Sequence, residues 1–163
     1  MPVQKLTRRT ILKRAAGTLA AAISGPTIVP SSVFGAEGRV SPNDRVRVGY
    51  IGVGRRSRQL MGLPEGAEIT AYADLYQKRL DEMKARNASA KTFLDYREML
   101  ASDSIDAVVI ATPDHWHTLP VVHACEAKKD VYIENPMTLT VREGRAIVNA
   151  VKKHNVVLQT GSQ

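Results

Sequence analysis

Apolar and polar positions fall into blocks along the chain, and the period changes from block to block. Residues 45–51 (Arg-Val-Arg-Val-Gly-Tyr-Ile) alternate with a period of two and then run into glycines, which predicts a strand with two different faces. Residues 68–73 predict a second strand. Residues 106–111 (Asp-Ala-Val-Val-Ile-Ala) form a short continuous apolar run, the composition that a strand covered on both faces needs. Residues 131–133 and 156–158 predict two more strands. Helical stretches with legible starts lie between them. Asp95 with Glu98, and Thr140 with Glu143, have the spacing at which a cap side chain and a carboxylate three residues on satisfy each other's backbone donors. Pro120 suits the first turn of a helix carrying Val121, Val122 and Cys125. Strand and helix alternate from residue 45 to the end, so the expected class is α/β: a doubly wound parallel sheet with helices on both faces.

The first 36 residues follow another pattern. Thr7-Arg8-Arg9-Thr10-Ile11-Leu12-Lys13 precedes an alanine-rich apolar run over 15–23, then Pro26 and Pro30, then a small-residue stretch over 31–36. Basic head, apolar middle and small-residue end are the three parts of an export signal, here with twin arginines. The apolar run is too short to span a bilayer, which argues against a stable anchor. The expected organisation is a leader over 1–36, a polar linker over 37–44 and one nucleotide-binding domain over 45–163, in a protein exported to the periplasm or another extracytoplasmic space.

This division changes the meaning of the charge. The 163-residue chain carries +7, but five of its 23 Lys and Arg lie in the acid-free leader, leaving 18 bases against 16 acids. A net charge of +2 on the remainder gives no electrostatic footprint for nucleic acid. The single cysteine, Cys125, has no intrachain partner and reads as a small apolar residue on a helix face.

Candidate chemistry begins after the first strand. In Gly52-Val53-Gly54-Arg55-Arg56-Ser57 the first glycine permits a tight turn, and the second lets the backbone approach a diphosphate seated on free helix N–H groups. Ser57 stands where a third glycine is usual and crowds helix against strand slightly. Asp74 ends the second strand 20 residues after Gly54, placed to accept hydrogen bonds from the adenosine ribose. Its charge would repel a 2′-phosphate, so NAD is expected over NADP, with Lys78 and Arg79 keeping the second in play. Asp74 as a plain turn residue is the competing reading. Arg55, Arg56 and Arg58 cluster where a diphosphate would lie, and each reads equally as solvated surface.

From Val46 to Gln163 the chain resembles the N-terminal domain of the glucose-fructose oxidoreductase, inositol dehydrogenase and rhizopine-catabolism family (Gfo/Idh/MocA). Four landmarks carry the resemblance in order: the Gly52/Gly54 turn, Asp74, Ala111-Thr112-Pro113-Asp114-His115-Trp116-His117, and Glu134-Asn135-Pro136. It implies a Rossmann domain binding NAD(P), followed by a larger α/β domain that takes sugars or similar polyols and through which relatives oligomerise. It also implies that Thr112 and Pro113 lie along the cofactor, that His117 approaches the nicotinamide side and that Glu134 sits near the nicotinamide ribose. His115 and His117 with Trp116 suggest no metal site, because no third ligand is placed beside them.

Asn135 departs from the family. The motif is Glu-Lys-Pro, with a lysine that contacts cofactor and substrate near the reacting hydroxyl. Asparagine can hydrogen-bond but cannot exchange a proton near neutral pH, so the expectation is retained NAD binding with ordinary alcohol oxidation at this catalytic position weakened or replaced. The sequence also stops where the family's substrate domain would begin, which reads as a truncated product or a fragment. Three functions stay open: hydride transfer to a carbohydrate-like substrate, a glycoside hydrolase or lyase that recycles its NAD internally, and a non-catalytic nucleotide-binding remnant.

Overall fold

A computed structural model describes residues 40–41 and 44–162. The leader therefore lies outside the described residues, as does most of the linker. Six strands are formed: β1 (Val46–Ile51), β2 (Ala67–Ala73), β3 (Lys91–Phe93), β4 (Ala107–Ile110), β5 (Asp130–Glu134) and β6 (Leu158–Gly161). The helices are α1 (Arg55–Gln59), α2 (Gln77–Arg86), α3 (Tyr96–Leu100), α4 (Thr118–Glu126) and α5 (Val141–His154), with a 3-10 turn at Asp114–Trp116. All neighbouring strands pair in parallel. Their order is β3-β2-β1-β4-β5-β6, so the chain winds outward from β1, then returns to place β4 on its other side. This is the Rossmann order, and its reversal between β1 and β4 opens a crevice at the carboxyl ends of those strands.

Alternation along the strands divides the core in two. Ile51, Ala71, Ala73, Val108, Ile110, Val131 and Ile133 face one side and pack against α3, α4 and α5 through Met99, Leu100, Val121, Ala124, Cys125 and Ile147. Val48, Tyr50, Tyr72 and Val109 face the other, where Leu80 and Met83 of α2 cover them with Leu60, Met61 and Leu63. Adjacent residues of β4 thus serve opposite faces, which is why that strand is apolar throughout. The Tyr50 hydroxyl donates to the Leu60 carbonyl at 2.8 Å, so the segment after α1 is pinned from the core. Among the described residues no helix is long and apolar enough to cross a membrane.

Two local expectations need correcting, and one strand had none. β3 went unpredicted, because a three-residue strand offers no measurable period. The last strand is Leu158–Gly161 and not 156–158: Val157 is exposed and spends its N–H on Asp130 Oδ1 and its carbonyl on Val131 N–H. At α3 the Asp95 carboxylate accepts from the Arg97 N–H and guanidinium, in place of a reciprocal exchange with Glu98. At α5 the reciprocal box of Thr140 and Glu143 forms as expected.

The amino ends of β1 and β4 are joined by Arg47 and Asp106, in two side-chain bonds of 2.9 and 2.6 Å, with the Arg47 N–H adding a third at 2.9 Å. The Arg47 guanidinium holds the Asp106 carboxyl down to about 2. A carboxylate depressed when folded stabilises the fold above its ordinary 3.8, and that contribution disappears as pH falls toward the folded value. Both side chains are half-exposed, so the effect is modest. Asp106→Asn should be less stable than the parent near neutrality, and the gap between their urea midpoints should close between about pH 5 and about pH 2. A gap that stays constant over that interval would contradict this account.

Candidate functional site

The two glycines after β1 have different physical reasons to be glycine. Gly52 has φ +81°, donates its N–H to the Ala73 carbonyl at 2.8 Å, and leaves room for no side chain, since a Cβ would stand 3.0 Å from the Ala111 carbonyl oxygen. The fold therefore requires it. Gly54 has φ −72° and ψ −165°, which any residue adopts, and a Cβ there would meet only Arg79 Nη1, at 3.9 Å. No packing demand explains that glycine. Its bare face leaves the turn open on the side where a diphosphate would approach, ahead of helical N–H groups that have no intrahelical acceptor.

Asp74 touches this turn directly. Its Oδ2 accepts the Val53 N–H at 2.9 Å and its Oδ1 accepts the Tyr76 N–H at 2.9 Å; Arg79 Nη1 stands 3.4 Å from Oδ2. The carboxylate is 5% exposed. Three of its four or so acceptor positions are used, leaving one on Oδ1 for a ligand hydroxyl. Arg79 also lies over the Tyr76 ring, 4.8 Å from its centroid. The sequence marked Asp74 and the nearby cation, but not that the acid is first a strut between the glycine turn and β2.

The arginines of the turn separate. Arg55 is exposed. Arg56 reaches away to Glu134 at the end of β5, with Nε–Oε2 at 3.0 Å and Nη2–Oε1 at 3.2 Å, and donates from Nη1 to Gln59 Oε1 at 3.0 Å. Arg58 pairs with Glu82. Ser57 is wholly buried and its Oγ has no hydrogen-bond partner; Thr112 Oγ1, just past β4, is likewise buried and unpartnered. Two hydroxyls without a partner, one in α1 and one just past β4, leave donor capacity unused at the turn and its neighbouring strand end, which fits a ligand rich in acceptors such as a dinucleotide.

Beyond β4 the sequence expectations meet mixed geometry. Pro113 is exposed and caps the 3-10 turn. Trp116 stands half-exposed at the rim. His117, expected on the nicotinamide side, is 2% exposed, with Nδ1 2.7 Å from the Pro136 carbonyl and Nε2 2.8 Å from the Thr112 carbonyl. Each ring nitrogen faces a carbonyl oxygen, and a neutral ring can donate to only one of them, so in this geometry neither nitrogen is presented to the crevice. Asn135 is exposed at the end of β5, and the Asn135–Pro136 bond is cis. Glu134 is hemmed on its other side by Gly161, where a Cβ would stand 2.8 Å from Oε1 and 2.5 Å from the Tyr132 hydroxyl. Sequence reasoning missed Tyr132 and Gly161. The two-residue period of β5 was the available signal, since it puts Tyr132 and Glu134 on one face. No group of three metal-ligating side chains occurs among the described residues.

The two glycines should respond oppositely to alanine. Gly52→Ala is expected to cost about 1–3 kcal/mol of stability in urea unfolding. Gly54→Ala should unfold like the parent yet bind NAD at least about tenfold more weakly by calorimetry. Unchanged NAD affinity in Gly54→Ala would remove the basis for an open cradle at that turn.

Residues 46–162 match a family model described as an oxidoreductase family with an NAD-binding Rossmann fold. A glycosyl hydrolase family 109 protein of Shewanella sp. (strain W3-18-1) is 35% identical, over 90% of this chain and 37% of its own length. An alpha-N-acetylgalactosaminidase of Shewanella oneidensis is 34% identical, over 76% of this chain and 30% of its own length. Among solved structures, the WlbA dehydrogenase from Bordetella pertussis in complex with NADH and UDP-GlcNAcA superposes with a TM-score of 0.68 at 26% identity, covering 72% of this chain and 37% of that one. The chain spans about a third of the length of the curated relatives it matches. With its strand order, its glycine turn and the acid closing β2, the chain belongs to the Gfo/Idh/MocA oxidoreductase family and forms its NAD-binding Rossmann domain.

Proposed function

We propose that this domain serves an exported enzyme that exchanges a hydride between NAD and a carbon of a carbohydrate-like substrate. The observation that carries the reading is the open face at Gly54 beside an acid, Asp74, bonded to the same turn at 2.9 Å. In this reading the turn 52–57 receives the diphosphate, and the spare acceptor position of Asp74 takes an adenosine ribose hydroxyl. Thr112 and Pro113 line the path over β4, and Glu134 serves the half beyond the switch point. Bound NAD supplies a hydride acceptor. Asn135 can orient a substrate hydroxyl by hydrogen bonding but takes up no proton near neutral pH, so proton removal falls to another group.

A second reading returns the hydride within each turnover, so that the net reaction is glycoside cleavage. The names of the two Shewanella relatives favour it. The first 36 residues, with Arg8 and Arg9 ahead of an apolar run, support export by the twin-arginine route.

The 163-residue chain should bind NAD saturably in calorimetry, and Asp74→Ala should weaken it at least about tenfold. Loss of all NAD binding in the parent would sink the proposal. With a protein spanning the relatives' length, net NADH from a sugar panel supports the first reading. Aryl glycoside cleavage without net NADH supports the second, and NAD binding with neither product leaves a non-catalytic remnant. Asn135→Lys should raise alcohol oxidation in that assay, and unchanged turnover would clear Asn135 of the role. For export, replacing Arg8 and Arg9 by lysine should hold the protein in the cytoplasm on fractionation; unaltered export would discard the twin-arginine assignment.

A further inference from the structure

Arg56 leaves the glycine turn after β1, and Glu134 ends β5. One strand, β4, lies between them. At about 4.8 Å per strand the side chain bridges about 10 Å, across the carboxyl end of β4 where the sheet order reverses. The contact is a two-bond fork, Nε to Oε2 at 3.0 Å and Nη2 to Oε1 at 3.2 Å, which fixes the angle as well as the position of the carboxylate. A third donor, Nη1, is held by Gln59 at 3.0 Å. At least three of the five guanidinium N–H donors are therefore committed within the chain.

Glu134 is the more constrained partner. Its side chain is 8% exposed, so Arg56 supplies the charge balance for a carboxylate largely withdrawn from water. Gly161 lies against Oε1, where a Cβ would stand 2.8 Å away. The carboxylate is thus crowded by the backbone at Gly161 and held by a guanidinium that belongs to the other half of the crevice.

In a doubly wound sheet a dinucleotide straddles the reversal point, one nucleotide beside β1 and β2 and the other beside β4 and β5. Asp74 ends β2 and Glu134 ends β5, so the two acids serve different halves. We infer that Arg56 is a positioning residue that holds Glu134 for the nucleotide half beyond β4, and that it is not a ligand of the diphosphate. This rests on the NAD-binding reading above. Arg55, like Arg56, is exposed, but only Arg56 is engaged with Glu134.

ADP carries the diphosphate and adenosine but lacks the second nucleoside, so it separates the two roles. In calorimetric titrations of the 163-residue chain, Arg56→Gln should raise the Kd for NAD about tenfold and leave that for ADP within about twofold. Retained ADP binding also shows that the variant is folded. Added to Glu134→Gln, the same change should cost less than about twofold further, because the two residues act as one unit. Arg56→Lys, a point charge without the fork, should recover only part of the NAD affinity. Equal losses for NAD and ADP would place Arg56 on the diphosphate and overturn the inference, as would no loss for either. If the parent binds neither ligand, the nucleotide reading itself fails and this one falls with it.

Discussion

At Gly52 the backbone crosses the end of β4 so closely that the Ala111 carbonyl oxygen occupies the space of any side chain, and it does so at φ +81°. The geometry of the crevice follows from this approach. The turn is pressed onto β4, and the next residue, Val53, is buried with its N–H pointing at Asp74. At Gly54 the nearest atom to a Cβ would be Arg79 Nη1, at 3.9 Å. A side chain at position 52 would lift the turn, and with it the contact between the glycine turn and the acid of β2.

The same crevice carries two acids, each answered by an arginine. Asp74 closes β2 with Arg79 beside it, and Glu134 closes β5 with Arg56 beside it. Both carboxylates are nearly buried, and both have backbone or glycine walls that limit their motion. Acceptors fixed in advance spend little entropy when hydroxyl groups arrive, which suits recognition of a ligand that offers a ribose on each side of a diphosphate. The buried hydroxyls of Ser57 and Thr112 are unsatisfied within the chain.

Much of this was legible in the residues. The apolar run of β4 and the alternation of β1 announced a sheet covered on both faces, because each side chain there has a single possible neighbour layer. The Thr140 and Glu143 pair formed as spaced. β3 was invisible because three residues have no period, and β6 was misplaced because Val157 looks like a core valine but sits exposed after an αL turn at Asn155. At the site, glycine and acid positions could be read because backbone geometry dictates them. The partners of Arg56, Arg79 and His117 could not, since a long or pivoting side chain chooses among acceptors that only the folded chain brings near.

The buried His117 ring stands between the carbonyls of Thr112 and Pro136, with one nitrogen beside each and a single N–H to donate in its neutral form. The segment leaving β4 and the segment leaving β5 therefore share one buried ring. A shift of either segment changes the contact that the other makes with that ring.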